Sequence, residues 1–180
     1  MNADRLDRNR AALVVVDVQE AFRKAVPDFD GVAASAANLV RGFGEMGLPI
    51  VVTQQYPQGL GETVPEVAEH LPEGVEPIDK VRFSAAEADG FDLNGRDQAL
   101  VCGVESHVCV NQTVLDLLGR GTQVQVATDA VASRTEANRD LGLRRAEDAG
   151  ATLTSVEMAL FELLGGADAA EFKTVQGLIK

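Results

Sequence analysis

The stretch ALVVVD at residues 12–17 decides the fold. Five apolar residues, three of them valines, run without polar alternation, and an aspartate follows them directly. Such a continuous run is typical of a parallel strand that is buried on both faces. Similar short runs predict five further strands, at residues 50–53, 77–80, 99–103, 124–127 and 151–155.

Helical segments alternate with these strands. Apolar residues recur at helical spacing over residues 32–46, and Gly47 and Pro49 follow where such a helix would end. Strands that alternate with helices predict an open, mostly parallel α/β sheet with right-handed crossovers. Ligands bind to such sheets beyond the carboxyl ends of the strands, so the residues after each strand are the candidates for a site. The other predicted helices cover residues 108–118, 136–149, 156–164 and 169–179.

Composition limits the classes of protein to consider. The length of 180 residues predicts a single domain over residues 1–180, and 46% hydrophobic residues exclude a disordered chain. The formal net charge is −12, with 16 basic and 28 acidic residues. A binder of nucleic acid or of an anionic membrane surface would carry a basic face. We therefore expect neither nucleic acid nor membrane as a partner.

Cysteine content and the chain start predict the compartment. Two cysteines, Cys102 and Cys109, do not make a disulfide framework. The first ten residues, MNADRLDRNR, are charged rather than hydrophobic, unlike a signal peptide, and no apolar run is long enough to cross a bilayer. We expect a soluble, cytoplasmic protein in a reducing environment, where cysteine is more often catalytic or buried than crosslinked.

An acid, a lysine and a cysteine follow three different strands: Asp17, Lys80 and Cys109. Each alone has an ordinary explanation, as a helix cap, a solvated charge and a small core residue. The predicted fold, however, brings all three to one edge of the sheet. There the positive end of a helix and the nearby lysine favour a thiolate. A carboxylate can take the proton from the thiol, the lysine can hold both anions, and the helix start can receive an oxyanion. This set suits acyl transfer to cysteine followed by hydrolysis.

At these residues the chain resembles the isochorismatase-like cysteine hydrolases, most closely the subgroup called isochorismatase domain-containing proteins. Three of the matching segments, those at residues 15–22, 80–85 and 100–113, are the family's triad blocks. The segments run through nearly the whole chain in the family's order: VVDVQEAF (15–22), TQQYPQGLG (53–61), KVRFSA (80–85), LVCGVESHVCVNQT (100–113), DAVASR (129–134) and EMALFELLG (157–165).

The resemblance implies a Rossmann-like, three-layer α/β/α fold with a six-stranded parallel sheet in the order 3-2-1-4-5-6. It also implies that Asp17 is the general acid/base, Lys80 the electrostatic partner and Cys109 the nucleophile. The family has a non-proline cis peptide that falls here between Val104 and Glu105. By the same resemblance, the backbone N–H groups of Glu105 and Cys109 form the oxyanion hole.

The sequence departs from the metal-dependent nicotinamidases of this superfamily. Their Asp-x-His motif follows the second strand, whereas QQYPQGLG (54–61) contains neither residue type. The two histidines, His70 and His107, do not complete a zinc site, which needs three or four ligands. We therefore expect no metal and no cofactor. Glu105 is a more polar residue than most relatives have, and both a solvent-facing and a substrate-facing role are open for it.

Residues near the strand ends supply a candidate substrate pocket. An aromatic wall with a few amide groups suits a small, planar or carbonyl-bearing substrate. Core packing is the favoured alternative for Phe22 and Phe83, and turn structure before Pro57 explains Gln55 and Tyr56 equally well. Arg134 is expected to pair with a carboxylate structurally. The pocket candidates are Gln19, Phe22, Gln55, Tyr56, Phe83 and His107.

The leading interpretation is a cofactor-free cysteine hydrolase of a small amide-like substrate that passes through a thioester. One alternative is enol-ether hydrolysis of the isochorismatase type, which does not depend on a cysteine nucleophile. Another is a catalytically silent binding protein that keeps the fold. Members of the family commonly self-associate, so the resemblance implies a homo-oligomer, either a dimer or a tetramer. Light scattering that found a monomer at micromolar concentration would remove that expectation.

Overall fold

The structure is a computed structural model that describes residues 5–180. Residues 1–4 of the charged start, on which the expectation of no signal peptide partly rests, lie outside the described residues. Over residues 5–180 the chain forms six strands, which are β1 (Ala11–Val16), β2 (Ile50–Gln55), β3 (Ile78–Lys80), β4 (Gln98–Val104), β5 (Gln123–Ala132) and β6 (Thr152–Thr154).

Seven α-helices connect and cover these strands in the described part of the chain. Five of them pack on the sheet faces or against each other, and two are single turns near the end of β2. They are α1 (Phe29–Glu45), α2 (Pro57–Leu60), α3 (Pro65–Ala68), α4 (Asn111–Gly119), α5 (Glu136–Asp148), α6 (Val156–Leu164) and α7 (Phe172–Leu178).

The strands form one parallel sheet in the order β3-β2-β1-β4-β5-β6. This confirms the predicted α/β/α fold and its sheet order. The strand β1 lies in the centre, where Val15 pairs with Val52 of β2 and with Cys102 of β4. Every residue of β1 is buried, as its continuous apolar run predicts.

Two apolar layers sandwich the sheet. Leu13 and Val15 of β1 belong to the layer under α1 and α6, whereas Val14 and Val16 belong to the layer under α4 and α5. The alternation follows from the strand geometry, which points successive side chains to opposite faces. Asp17 comes directly after this strand, so the packing of β1 fixes the position at which its carboxylate emerges.

The strand β5 is longer than predicted. The sequence indicated an end at residue 127 because the polar residues Thr128 and Asp129 interrupt the apolar run. Instead, the pairing with β4 shifts in register and resumes at Val131. The two polar residues serve neighbouring segments: Thr128 Oγ1 donates to the Thr154 carbonyl at 3.0 Å, and Asp129 Oδ1 accepts from the N–H of Val156 at 2.9 Å.

Several short helical segments were not predicted, because a single turn is too short to show helical periodicity. They include α2, α3 and the 3₁₀ turns Glu20–Lys24 and Ala85–Glu87. The predicted helix at residues 108–118 is in fact a π-helical turn, Ser106–Val110, that leads into α4. Across residues 5–180, the chain forms no helix with the length and apolar character that a bilayer crossing requires.

Candidate active site

Asp17 lies at the carboxyl end of the central strand with no exposed surface. Its backbone adopts a positive φ of 53°, which is uncommon for a residue other than glycine. Thr53 Oγ1 donates to Asp17 Oδ1 at 2.9 Å, and Lys80 Nζ donates to Oδ2 at 2.7 Å. Both carboxylate oxygens are therefore held by groups from the ends of β2 and β3.

Lys80 ends β3, and its ammonium group is almost completely buried. Besides Asp17, its Nζ donates to Gln55 Oε1 at 2.7 Å and to the carbonyl oxygens of Phe83 and Arg82 at 2.9 and 3.2 Å. A buried charge is tolerated only when it is paired and hydrogen-bonded, and Lys80 has both kinds of partner. These contacts also fold the loop after β3 around the ammonium group.

Cys109 lies in the π-helical turn after β4 and is 6% exposed. Its thiol interacts with the carboxylate of Asp17 and the ammonium group of Lys80. The structure thus brings together the three residues predicted to meet at one sheet edge. Cys102 lies within β4, fully buried in the opposite apolar layer.

The electrostatics of this group differ from the expectation that Lys80 and the helix start favour a thiolate. Burial raises the pKa of the Cys109 thiol, the negative charge of Asp17 raises it further, and Lys80 lowers it by less. Burial also raises the pKa of Asp17, against the opposing effect of Lys80. Desolvation penalises the charged form and outweighs the lysine. Both shifts favour the neutral thiol of Cys109 and increase the basicity of the Asp17 carboxylate.

The turn that carries Cys109 is anchored to the segment after β5. The peptide bond between Val104 and Glu105 is cis, as the resemblance implied. Glu105 is buried, and its Oε2 accepts hydrogen bonds from the backbone N–H and the Nε of Arg134 at 2.9 and 3.0 Å. The solvent-facing interpretation of Glu105 is therefore wrong. Arg134 forms the structural pair that was expected of it.

The pocket candidates fall into two groups. Gln55 binds Lys80 directly. Tyr56 follows Gln55 in sequence, and Phe83 lies in the loop after β3. The side chains of Tyr56 and Phe83 are 55% and 52% exposed. The exposure of Phe83 removes core packing as its explanation. A cleft of about 480 Å³ opens beside Lys80, lined by Tyr56 and Arg82 among others but by neither Asp17 nor Cys109.

The second group comprises Gln19, Phe22 and His107, whose side chains contact the surrounding loops and core. The Gln19 side chain is fully buried, and its amide bonds the backbone of Gln55 and Gly61. Phe22 packs against the apolar layer under α1. His107 is half-buried, with its Nδ1 3.0 Å from Ser133 Oγ. These side chains therefore support the loops around the site.

Thr53 and Thr113 contact the site and were not predicted. Thr53 binds Asp17, and Thr113 Oγ1 donates to the carbonyl oxygen of Cys109 at 2.7 Å. Both occupy ordinary strand or helix positions, where a threonine gives no signal of its own.

In residues 5–180 we find no cluster of three or more His, Cys, Asp or Glu side chains placed to hold a metal ion.

A family model and curated relatives both assign the chain to one family. The isochorismatase domain model matches residues 11–158. Isochorismatase domain-containing protein 2 of Macaca fascicularis is 40% identical over 171 residues, which cover 93% of this chain and 82% of the relative.

Two solved structures share the fold. A protein described as MAR1 ribonuclease from Caenorhabditis elegans has a TM-score of 0.92 and 38% identity, with coverage of 97% of this chain and 92% of that chain. The YcaC gene product of Escherichia coli, described as an octameric hydrolase of unknown specificity, has a TM-score of 0.83 and 25% identity, with coverage of 99% and 92%.

Proposed function

Because this chain belongs to the isochorismatase family, whose members are generally hydrolases, we propose that it hydrolyses a small amide-like substrate with Cys109 as nucleophile. The observation that carries the proposal is the interaction of Asp17, Lys80 and Cys109 in a place where all three side chains are buried. A binding protein would have no need to bury an ion pair against a thiol, since burying charge is costly.

In the first half of the reaction, Cys109 Sγ attacks the carbonyl carbon while the Asp17 carboxylate takes the thiol proton. The raised pKa of Asp17 suits it to this transfer, because a stronger base accepts the proton more readily. The C–N bond then breaks, and Asp17 gives the proton to the leaving nitrogen. The products are a free amine or ammonia and a thioester on Cys109.

In the second half, water attacks the thioester carbonyl and Asp17 takes one of its protons. Collapse of the tetrahedral intermediate breaks the C–S bond, releases the carboxylic acid and returns the proton to the Cys109 sulfur. Lys80 keeps Asp17 in place and balances the negative charge of the site in both halves. The backbone N–H groups of Glu105 and Cys109 are proposed to stabilise the oxyanion in both halves.

The test is a panel of small primary amides and N-carbamoyl compounds, with amine or ammonia release and the intact protein mass as readouts. We expect at least one compound to be hydrolysed with a transient acyl adduct on Cys109, and Cys109→Ala to abolish release. Cys102→Ala is the matched control and should retain activity, since Cys102 lies on the far face of the sheet.

Other results of this experiment select other functions. Amide turnover that survives Cys109→Ala would contradict the proposal, and turnover of an added enol-ether substrate by Cys109→Ala would favour enol-ether hydrolysis. The nematode relative is described as a ribonuclease, so a structured RNA is included as a substrate. The net charge of −12 opposes RNA binding, and we expect no cleavage.

The proposal includes self-association and a cytoplasmic location. The octameric Escherichia coli relative supports self-association, as do the exposed apolar side chains of Tyr56, Val81 and Phe83 near the site. Light scattering at micromolar concentration tests the self-association separately from the hydrolysis.

A further inference from the structure

Thr113 connects the turn that carries Cys109 to the loop that carries Lys80. Its side chain is fully buried in α4, four residues after Cys109. The hydroxyl donates to the Cys109 carbonyl oxygen at 2.7 Å and accepts from the backbone N–H of Ala85 at 2.8 Å. One hydroxyl thus satisfies polar groups from two distant segments of the chain.

Ala85 ends the loop that Lys80 itself shapes. The ammonium group of Lys80 holds the loop at the carbonyls of Arg82 and Phe83, and Thr113 holds it two residues further on. The loop is therefore fixed at one side by the proposed electrostatic partner and at the other by the helix of the proposed nucleophile.

Only one of the two hydrogen bonds is ordinary helix behaviour. Threonine side chains often donate to the carbonyl one turn earlier, which accounts for the bond to Cys109. The bond from Ala85 is different, because it joins a loop after β3 to a helix after β4. The neighbouring hydroxyl of Ser84 is also buried, yet it has no hydrogen-bond partner among the described residues. Burial of a hydroxyl at this place therefore does not by itself produce a link.

We propose that Thr113 is a positioning residue, whose hydroxyl couples the placement of Lys80 to that of the Cys109 thiol. The inference rests on the proposed function, in which Lys80 and Cys109 act together. Lys80 lowers the pKa of Cys109, so a loop that loosens from α4 weakens that effect and leaves the thiol harder to ionise. Displacement of reacting groups by about 1 Å can reduce rates by about a hundredfold.

The test compares Thr113→Val, which removes the hydroxyl at nearly constant shape, with Thr113→Ser, which keeps the hydroxyl. Amide hydrogen exchange at Ala85 reports the link itself. We expect exchange to be about tenfold faster or more in the valine variant, because the loss of a buried partner frees the N–H. The serine variant and Ser84→Ala should leave it unchanged.

Alkylation of Cys109 by iodoacetamide, measured against pH, reports the coupling. In Thr113→Val we expect the midpoint to move to higher pH, in the direction of Lys80→Met. At a fixed pH below the midpoint, alkylation should slow about tenfold for each pH unit that the midpoint moves. Thr113→Ser should superimpose on the wild type. A merely structural threonine would change stability without moving this midpoint.

Two outcomes overturn the proposal: a Thr113→Val profile that coincides with the wild type, or exchange at Ala85 that does not change. If the valine variant does not fold, an experiment on the wild-type protein tests the proposal instead. Carbamidomethylation of Cys109 should then change exchange at Ala85 by about tenfold, and no change would refute the link. Failure of the proposed function is measured separately, as no turnover of the amide panel or turnover that survives Cys109→Ala, and neither result depends on exchange at Ala85.

Discussion

Replacing Gly103 with alanine is expected to destabilise the protein strongly. Gly103 lies in β4 with φ of +119°, a conformation that L-residues rarely adopt. An added Cβ would lie 2.0 Å from the carbonyl oxygen of Val16 and 2.7 Å from its carbonyl carbon. These are backbone atoms of the central strand, directly before Asp17, so they cannot move aside without breaking the pairing of β1 with β4.

The expected loss is a large share of the total stability. Backbone strain of this kind costs about 1–3 kcal/mol, and overpacking a core adds about 1–3 kcal/mol or more. Domains are stable by about 5–15 kcal/mol in total. Urea unfolding followed by circular dichroism measures the difference.

Gly119→Ala is the matched control for this substitution. Gly119 ends α4 without a left-handed backbone, and nothing lies within 4 Å of an added Cβ. We expect that variant to be neutral or stabilised by up to about 1 kcal/mol. A Gly103→Ala protein whose free energy of unfolding lies within about 1 kcal/mol of the wild type would contradict the described contact between β1 and β4.

Replacing Lys80 with methionine is expected to cost about 3–5 kcal/mol of unfolding free energy at pH 8, because it leaves the Asp17 carboxylate buried without a cation. Without Lys80 the pKa of Asp17, already raised by burial, rises further. A group whose folded pKa is raised contributes stability that is present at low pH and lost as pH rises through that pKa. The variant should therefore be much less destabilised at pH 5 than at pH 8.

The double variant Lys80→Met with Asp17→Asn provides the control. It removes the unpaired charge while the side chain stays similar in size, so most of the lost stability should return at pH 8. The measurement is urea unfolding of the single and double variants at both pH values. Equal destabilisation of Lys80→Met at pH 5 and pH 8 would show that the charge of Asp17 is not what the lysine compensates.

The sequence was sufficient to predict what depends on continuous apolar runs and on strand ends. The valines of β1 identify a buried parallel strand, and Asp17, Lys80 and Cys109 follow three strands that share an edge. The strand β5 was predicted too short because Asp129 looks like a strand end, although its carboxylate accepts from the N–H of Val156, the first residue of α6. Local pattern does not show which distant N–H a polar side chain will satisfy.

The same limit applies around the candidate site. Gln19 was expected in the pocket because it follows β1, but its amide bonds the backbone of Gln55 at the end of β2 and of Gly61 in the loop that follows. Thr113 was missed because its partner, Ala85, is 28 residues away in sequence. The direction in which the thiol's pKa moves was missed as well, because burial depends on how the whole site closes over Cys109.

The central claim is that Cys109 works electrostatically with Asp17 and Lys80, and its most direct test is the pH dependence of iodoacetamide alkylation, read by peptide mass spectrometry. Cys102 is the internal control, because it is fully buried and becomes reactive only if the protein unfolds. Since the charge of Asp17 raises the pKa of Cys109, Asp17→Asn should move the Cys109 midpoint to lower pH, and Lys80→Met should move it to higher pH. A Cys109 profile that neither variant moves would contradict the claim.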